Sequence, residues 1–163
     1  MKSLPILVGS QVKLGAFTPN YIPIYHKWLQ DPYVLKMTET SKNMTLKDVT
    51  NMQKEIDKDN TMAHFLIFDK RKEIAIGDID LRDIEIGNTA EIAIMIAEPS
   101  YRGKGYASEA YKLIMNFGFK KFRLASITAP VLSFNQASIG FHKKMGFFES
   151  GKKGRDIIFK YTK

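Results

Sequence analysis

The chain contains no cysteine, and this absence excludes disulfide bonds, thiolate ligands for a metal ion and a cysteine nucleophile. Its three histidines, His26, His64 and His142, have a spacing that matches no metal-binding motif. No apolar run is long enough to cross a bilayer, and the N-terminal segment lacks the length and the cleavage site of a signal peptide. We therefore expect a cytoplasmic protein that binds neither a metal ion nor a membrane.

What the chain does contain is ordinary for a folded protein. Its 163 residues are 44% hydrophobic and 26% charged, and these fractions are typical of a soluble globular chain. The length is sufficient for a sizeable apolar core. We therefore expect residues 1–163 to form a single domain.

Charge is distributed unevenly along the chain, whose formal net charge is +8. Residues 1–100 contain 12 Lys and Arg against 14 Asp and Glu, whereas residues 101–163 contain 13 against 3. A basic half of this kind indicates either a polyanionic ligand or a solvated surface. Specific nucleic-acid binding is disfavoured, because the basic residues are not interleaved with aromatic residues in the pattern of a stacking groove.

The segment 91–119 reads EIAIMIAEPSYRGKGYASEAYKLIMNFGF and predicts a strand, a polar turn and a helix. The strand, 91–97, is mostly apolar on both alternating faces, which is typical of a strand that is covered on both sides. Pro99 ends its pairing, because proline has no N–H to donate. Apolar residues then recur at helical spacing from Tyr106 onwards, and Gly118 is predicted to cap the end of this helix.

The turn between strand and helix, residues 102–107, has the features of a phosphate-binding loop. Its two glycines permit a sharp turn and a close approach of a ligand to the backbone. The first N–H groups of the following helix are free, and the helix dipole attracts negative charge to them. The spacing matches neither a Walker loop nor a Rossmann fingerprint, which needs a third glycine where Ser108 stands. A basic turn without a ligand is the alternative interpretation.

Two motifs in the basic half resemble those of one enzyme superfamily. The pattern R-x-x-G-x-A at residues 102–107 resembles the pyrophosphate-binding signature of the GNAT acetyltransferases. Further along, Asn135-x-x-Ser138 begins a predicted helix that Gly146-Phe147 ends, and this second block resembles one that GNAT proteins often carry. The stretches TPNYIPIYHKWL, MTLKDVTNMQ, IGDIDL and AEIAIMIAEPSYRGKG resemble the N-acetyltransferase 9 branch, which is close to the ribosomal-protein N-acetyltransferases. The resemblance covers about residues 10–150.

The rest of the chain predicts further elements around this unit. Apolar residues at helical spacing predict four more helices, at residues 21–30, 31–37, 45–57 and 134–145. Thr45-x-x-Asp48 resembles a capping box, and Gly146 is predicted as a C-terminal cap. Strands are predicted at residues 12–17, 63–68, 73–81, 125–129, 147–151 and 157–161. This order is α/β with a mixed sheet, and the GNAT resemblance implies a mostly antiparallel, twisted sheet that is splayed at the cofactor site and flanked by helices.

The resemblance also implies a co-substrate and the residues that hold it. Acetyl-CoA is expected, with its pyrophosphate bound by Arg102, Gly103, Lys104, Gly105, Tyr106 and Ala107. The backbone of Met95, Ile96 and Ala97 is expected to pair with the pantetheine arm and to polarise the thioester carbonyl. Asn135 is expected to bind the same arm, together with Ser138, although the position of Asn135 also suits an ordinary helix N-cap.

Acetyl transfer to an amine requires a base for the amine, and the departing thiolate must be protonated or solvated. Glu91 is the predicted base, because its position matches the family block, and Asp78 and Asp80 on the preceding strand are other candidates. Many GNAT proteins have a tyrosine seven residues after the asparagine, but this chain has His142 there. His142 is therefore the candidate acid, and a surface position on the helix is the alternative.

The predicted function is transfer of acetyl from acetyl-CoA to a primary amine. A protein N-terminus or lysine is the favoured acceptor, and tubulin is one that the branch implies. The acid-rich stretch from Asp78 to Glu98 would suit a positively charged amine. Two alternatives stay open: acetylation of a small amine such as a polyamine or an antibiotic, and a non-catalytic module that binds acyl-CoA and docks on a partner. The sequence leaves the oligomeric state open.

Overall fold

Eight strands form one mixed sheet in the computed structural model, which describes residues 3–40 and 43–163. In chain order they are β1 (Leu7–Val8), β2 (Val12–Ala16), β3 (Ala63–Asp69), β4 (Ile74–Arg82), β5 (Thr89–Ile96), β6 (Ser126–Leu132), β7 (Phe148–Lys153) and β8 (Asp156–Thr162). They lie side by side in the order β1-β2-β3-β4-β5-β6-β8-β7. The neighbouring pairs are antiparallel, except that β5 and β6 run parallel.

The described residues also form five α-helices, namely α1 (Ile22–Trp28), α2 (Pro32–Met37), α3 (Leu46–Lys58), α4 (Tyr106–Lys121) and α5 (Gln136–Lys144). The predicted capping box is confirmed: the Thr45 hydroxyl accepts from the Asp48 N–H, and the Asp48 carboxylate accepts from the Thr45 N–H. Gly146 follows α5 with φ at +92°, as its predicted cap role requires. Within this part of the chain, no helix combines the length and the apolarity needed to cross a membrane.

The prediction that Gly118 caps the central helix is wrong. α4 continues through Gly118 and ends at Lys121. A Cβ atom at Gly118 would lie 2.7 Å from the Leu81 side chain and 3.2 Å from the Leu124 side chain. The glycine therefore serves the close packing of α4 on the sheet rather than the end of the helix.

Two helical layers cover opposite faces of the sheet. One cluster packs α4 against the sheet through Ala110, Ile114 and Met115, with partly buried residues of α5 at its margin. The other packs α1, α2 and α3 against β3 through Trp28, Val49 and their neighbours. The predicted α/β class, with a mixed and mostly antiparallel sheet between helices, is confirmed.

The parallel pair of strands is short, and it opens a gap in the sheet. β5 pairs with β6 only where Thr89 to Glu91 lie opposite Ser126 to Thr128. Beyond Glu91, β5 remains paired with β4, while β6 remains paired with β8. The two strands therefore separate into a V-shaped gap, and the predicted splay of the sheet is confirmed.

A bulge in β4 fixes the far end of β5. The register between β3 and β4 shifts after Ile67, which leaves Ile76 as an extra residue. The Ile76 carbonyl then accepts two hydrogen bonds, from the N–H of Ala97 at 2.9 Å and from that of Glu98 at 3.1 Å. The bulge therefore holds the residues that immediately follow β5.

Next to the bulge, β4 and β5 approach each other closely. Gly77 lies opposite Ile96, and a Cβ atom on Gly77 would overlap the carbonyl oxygen of Met95. This approach is possible because glycine has no side chain. The shape of β5 at the gap thus depends on one glycine of the neighbouring strand.

We predict that Gly77→Ala lowers the free energy of unfolding by at least about 1–3 kcal/mol, because the added methyl group must displace the β5 backbone. Gly140→Ala in α5 is the matched control, since a Cβ atom there meets nothing within 4 Å. That change should raise stability by about 0.5–1 kcal/mol, because alanine favours helix. Urea unfolding of both variants measures the difference. Equal stabilities of the two variants would contradict the role of Gly77.

Candidate active site

The gap between β5 and β6 opens into a cavity of about 1270 Å³. Its walls come from both sides of the sheet: α2 contributes on one side, and α4 and α5 contribute on the other. Predicted cofactor residues from three separate segments line this one cavity, namely Met95, Ile96, Arg102, Gly103, Gly105, Ala107, Asn135 and Ser138. The structure therefore brings the strand, the glycine-rich turn and the start of α5 together. The other predicted residues, Ala97, Lys104 and Tyr106, lie in the segment that joins β5 to α4 and at the first position of α4.

The glycine-rich turn presents its backbone to the cavity. Gly103 and Gly105 have φ values of +71° and +85°, a conformation that favours glycine. Gly105 is the N-cap residue of α4, and among the described residues no side chain makes a capping hydrogen bond there. Within this part of the chain, the first N–H groups of α4 therefore lie beside the cavity without a capping side chain, as an anion site requires.

Glu109, in the first turn of α4, anchors the start of this helix to a distant part of the chain. Its carboxylate accepts from the N–H of Gln11 at 3.0 Å, from the N–H of Val12 at 2.6 Å and from the hydroxyl of Ser10 at 2.5 Å. These bonds attach the turn between β1 and β2 to the first turn of α4. An acid in the first turn of a helix is expected from the dipole, but a partner nearly one hundred residues away has no local signal.

The side chain of Arg102 is engaged with the end of β5. Its Nε donates to the carbonyl of Ile96 at 2.9 Å, and its Nη2 donates to the carbonyl of Ala97 at 3.1 Å. The guanidinium also stacks on Tyr33 of α2, with 3.9 Å between Cζ and the ring centroid. Arg102 thus contributes positive charge at the cavity while it holds the strand end in place.

Strand geometry decides which backbone groups face the gap. The bond from the Ala97 N–H to Ile76, together with the register, makes Met95 and Asp78 a hydrogen-bonded pair. The backbone of Met95 therefore faces β4, whereas that of Ile94 and Ile96 faces the gap. Sequence reasoning missed Ile94, because the direction of each N–H depends on the register of the neighbouring strand. Of the predicted Met95, Ile96 and Ala97, Ile96 has the backbone orientation that suits a ligand.

Asn135 lies at the other wall of the gap. Its side-chain oxygen accepts from the Ser138 N–H at 3.1 Å, which confirms the N-cap interpretation. Its Nδ2 lies 3.5 Å from the sulfur of Met37 in α2. A thioether is a weak acceptor, so this amide group retains the capacity to donate to a ligand carbonyl.

A family model described as an acetyltransferase (GNAT) domain matches residues 11–148. The chain belongs to the GNAT acetyltransferase family. Over 152 residues it is 34% identical to the N-acetyltransferase 9-like protein of Nematostella vectensis, covering 86% of this chain and 76% of that protein. Over 155 residues it is 30% identical to the alpha/beta-tubulin-N-acetyltransferase 9 of Homo sapiens, covering 87% of this chain and 74% of that one.

A solved structure shares the whole architecture. The spermidine N-acetyltransferase of Vibrio cholerae, in complex with CoA and spermine, superposes with a TM-score of 0.81 at 20% identity, covering 93% of this chain and 94% of that one. At this identity the likeness concerns the GNAT fold alone. Family membership identifies the chain as an acyltransferase.

In this GNAT chain the predicted base, Glu91, lies at the apex of the splay. It is the last β5 residue paired with β6, and the next residue, Ile92, lines the cavity. Burial raises the pKa of the half-buried Glu91 carboxyl above its ordinary value of 4.5, while the cross-strand neighbour Arg82 opposes this shift. A carboxylate with a raised pKa is a better proton acceptor.

The two other candidate bases already have donors. Asp78 is buried and accepts from the Tyr25 hydroxyl at 2.5 Å and from His64 Nε2 at 2.8 Å. Asp80 is buried and binds both Nε and Nη2 of Arg82, at 2.8 and 2.7 Å. These two carboxylates are therefore held by hydrogen bonds within the fold. For Glu91, in contrast, burial is the leading influence on the pKa.

The interpretation of His142 as a surface residue is wrong, because only 3% of it is exposed. Its Nδ1 lies 2.7 Å from the carbonyl of Ser138, so Nδ1 carries the proton and donates. Nε2 then accepts from the hydroxyl of Tyr111 in α4 at 2.5 Å. Burial lowers the pKa of His142 below 6.5 and raises that of Tyr111. His142 is thus a neutral imidazole at the cavity wall with both nitrogens engaged.

We predict that His142 makes the fold sensitive to mild acid. The folded-state pKa lies below the unfolded value, so the unfolded chain takes up the proton first and stability falls as the pH drops below about 6.5. His142→Gln should show a smaller loss between pH 7 and pH 5, measured by urea unfolding at each pH. His26→Gln, at a half-buried position of α1, is the control. An unchanged pH dependence in His142→Gln would contradict the assignment.

Proposed function

We propose that this protein transfers an acetyl group from acetyl-CoA to a primary amine of another protein, at an N-terminus or a lysine. The observation that carries the proposal is the cavity at the splay, which is lined both by the glycine-rich turn and by α2. At about 1270 Å³ it exceeds the roughly 300–1,000 Å³ of common small-molecule pockets. It therefore has room for a pantetheine arm and for the end of an acceptor.

The disposition of charge favours a protein amine over a polyamine. Two acids of the stretch that sequence reasoning assigned to a cationic acceptor are engaged within the fold: Asp78 with Tyr25 and His64, and Asp80 with Arg82. A polyamine needs several free carboxylates in its site, because it carries several charges. The relative in Homo sapiens is named for tubulin, and this name also supports a protein acceptor.

The residues of the chain account for each requirement of the reaction. Acetyl-CoA supplies an acetyl thioester when it is bound. The glycine-rich turn and the start of α4 hold its phosphates, and Asn135 holds the pantetheine arm. The N–H groups of Ile94 and Ile96 face the gap, where they stabilise negative charge on the thioester oxygen. Glu91 takes a proton from the amine, whose nitrogen forms the new C–N bond as the C–S bond breaks, and the thiolate leaves into solvent.

The first test is calorimetric titration with acetyl-CoA. We expect the wild type to bind and Gly105→Glu to lose at least about tenfold in affinity, because a carboxylate at the turn repels phosphate. Gly87→Glu is the matched control: Gly87 also has a left-handed backbone, at φ +80°, and nothing within 4 Å of its Cβ position. Equal binding by the wild type and Gly105→Glu would remove the turn from the cofactor site.

The acceptor is then identified with three kinds of amine. The wild type is incubated with acetyl-CoA and a peptide with a free N-terminus, an Nα-blocked peptide with one lysine, or spermidine, and the products are weighed by mass spectrometry. Faster acetylation of either peptide supports the proposal. Acetylation of spermidine in preference to both peptides would refute it.

We predict that Glu91→Gln lowers kcat by about 100-fold or more, which is the usual contribution of a general base. The carboxylate must be ionised to accept a proton, so wild-type kcat should fall as the pH drops towards the raised pKa of Glu91. This acid limb should disappear in Glu91→Gln. Glu55→Gln on the exposed side of α3 is the control. An acid limb that persists in Glu91→Gln would assign the base to another group.

A further inference from the structure

The cavity has a separate wall on the side of the sheet that α2 covers. Register places Ala93 and Met95 of β5 on this side, and β6 contributes Pro130 and Leu132 from the other edge of the gap. The residues that alternate with these four face α4 and α5 instead. We call Ala93, Met95, Pro130 and Leu132, together with Val34 and Met37 of α2, the α2 wall; all six residues line the cavity.

The α2 wall is apolar. Val34 and Leu132 are buried, and Met37, Met95 and Pro130 are half-buried, so their side chains are shielded around the opening. Thioether side chains adapt their shape to an apolar partner. Two arginines line the cavity beside this wall, among the described residues: Arg82, whose guanidinium is paired with Asp80, and Arg102, whose guanidinium stacks on Tyr33 and donates to backbone carbonyls. The wall therefore offers burial to an apolar group, and the charged groups beside it already have partners.

The α2 wall lies beside the expected reaction centre. The sulfur of Met37 is 3.5 Å from the Nδ2 atom of Asn135, the residue expected to hold the pantetheine arm. Met95 is next to Ile94 and Ile96, whose backbone faces the gap. A group bound against Met37 and Met95 therefore lies close to an amine that reaches the gap.

The two kinds of protein amine differ in the groups on the carbon next to the nitrogen. The carbon that bears an N-terminal amine also bears the first side chain, which can lie against the wall. The carbon that bears the ε-amine of lysine has no branch, so a bound lysine leaves the wall uncovered. Burial of a large apolar side chain favours the first arrangement by about tenfold in affinity or more.

We propose that the α2 wall binds the side chain of the acceptor's first residue, and that this residue is large and apolar. The substrate class is then the free N-terminus of a protein that begins with methionine, leucine, isoleucine or phenylalanine. This inference rests on the proposed function, because it specifies the acceptor of the same site. The amine enters the gap, and the following peptide leaves along the opening.

The test uses peptides that are identical after the first residue and begin with Met, Leu, Ser or Asp, and an Nα-blocked peptide with one internal lysine. Initial rates with the wild type should give a kcat/KM about tenfold higher or more for Met and Leu than for Ser and Asp. Met37→Gln should bring these values close together. Met37→Trp should fill the subsite and favour Ser over Met. Met52→Gln, at a partly buried methionine of α3 away from the cavity, is the matched control and should keep the wild-type preference.

A second measurement separates this inference from the proposed function. Nα-acetylated Met and Ser peptides are titrated into the wild type and Met37→Gln in the presence of CoA, so that binding is read without turnover. A preference for the Met peptide that Met37→Gln removes supports the subsite even if spermidine is the faster acceptor. Equal rates and equal binding for Met and Ser peptides in the wild type overturn the subsite, even if peptides are acetylated. A preference that Met37→Gln and Met37→Trp leave unchanged also overturns it.

Discussion

The end of pairing between β5 and β6 is the constraint on which the site depends. A strand that loses its neighbour leaves backbone N–H and C=O groups without partners, and such groups are costly to bury. Here Arg102 satisfies the carbonyls of Ile96 and Ala97, while the backbone of Ile94 stays directed into the gap. The gap is therefore an incomplete sheet edge inside the protein. A ligand with amide groups, such as a pantetheine arm, can complete it.

Strand β4 carries two buried acids that are hydrogen-bonded to donors. Asp78 and Asp80 are buried, and removal of Arg82 beside Asp80, or of both Tyr25 and His64 beside Asp78, would leave a buried charge unpaired, which is strongly unfavourable. Glu91 is the carboxylate at the apex for which burial, rather than a bound donor, is the leading influence on the pKa. Glu91 thus combines a position at the apex with a raised pKa, and these are the two properties on which its proposed role as the base rests.

The parts of the site that depend on neighbouring residues could be predicted from sequence, and the parts that depend on distant ones could not. The glycine-rich turn at 102–107 and the N-cap at Asn135 have short patterns with a direct physical meaning. The bond of Glu109 to Gln11, and the placement of Tyr111 against His142, link residues about 100 and 31 positions apart. Periodicity also missed the role of Gly118, because a glycine near a helix end suits a cap and a close contact equally well.

The two halves of the cavity are not independent of each other. α2 has only six residues, and a helix of this length is unstable on its own in water. Its position therefore rests on its contacts: Tyr33 under the guanidinium of Arg102, Val34 in the apolar cluster, and Met37 against Asn135. Two of these three contacts involve residues that are expected to hold the cofactor. The α2 wall is thus positioned by the same side chains that are expected to hold the cofactor. A substitution of Arg102 or Asn135 should therefore also shift α2.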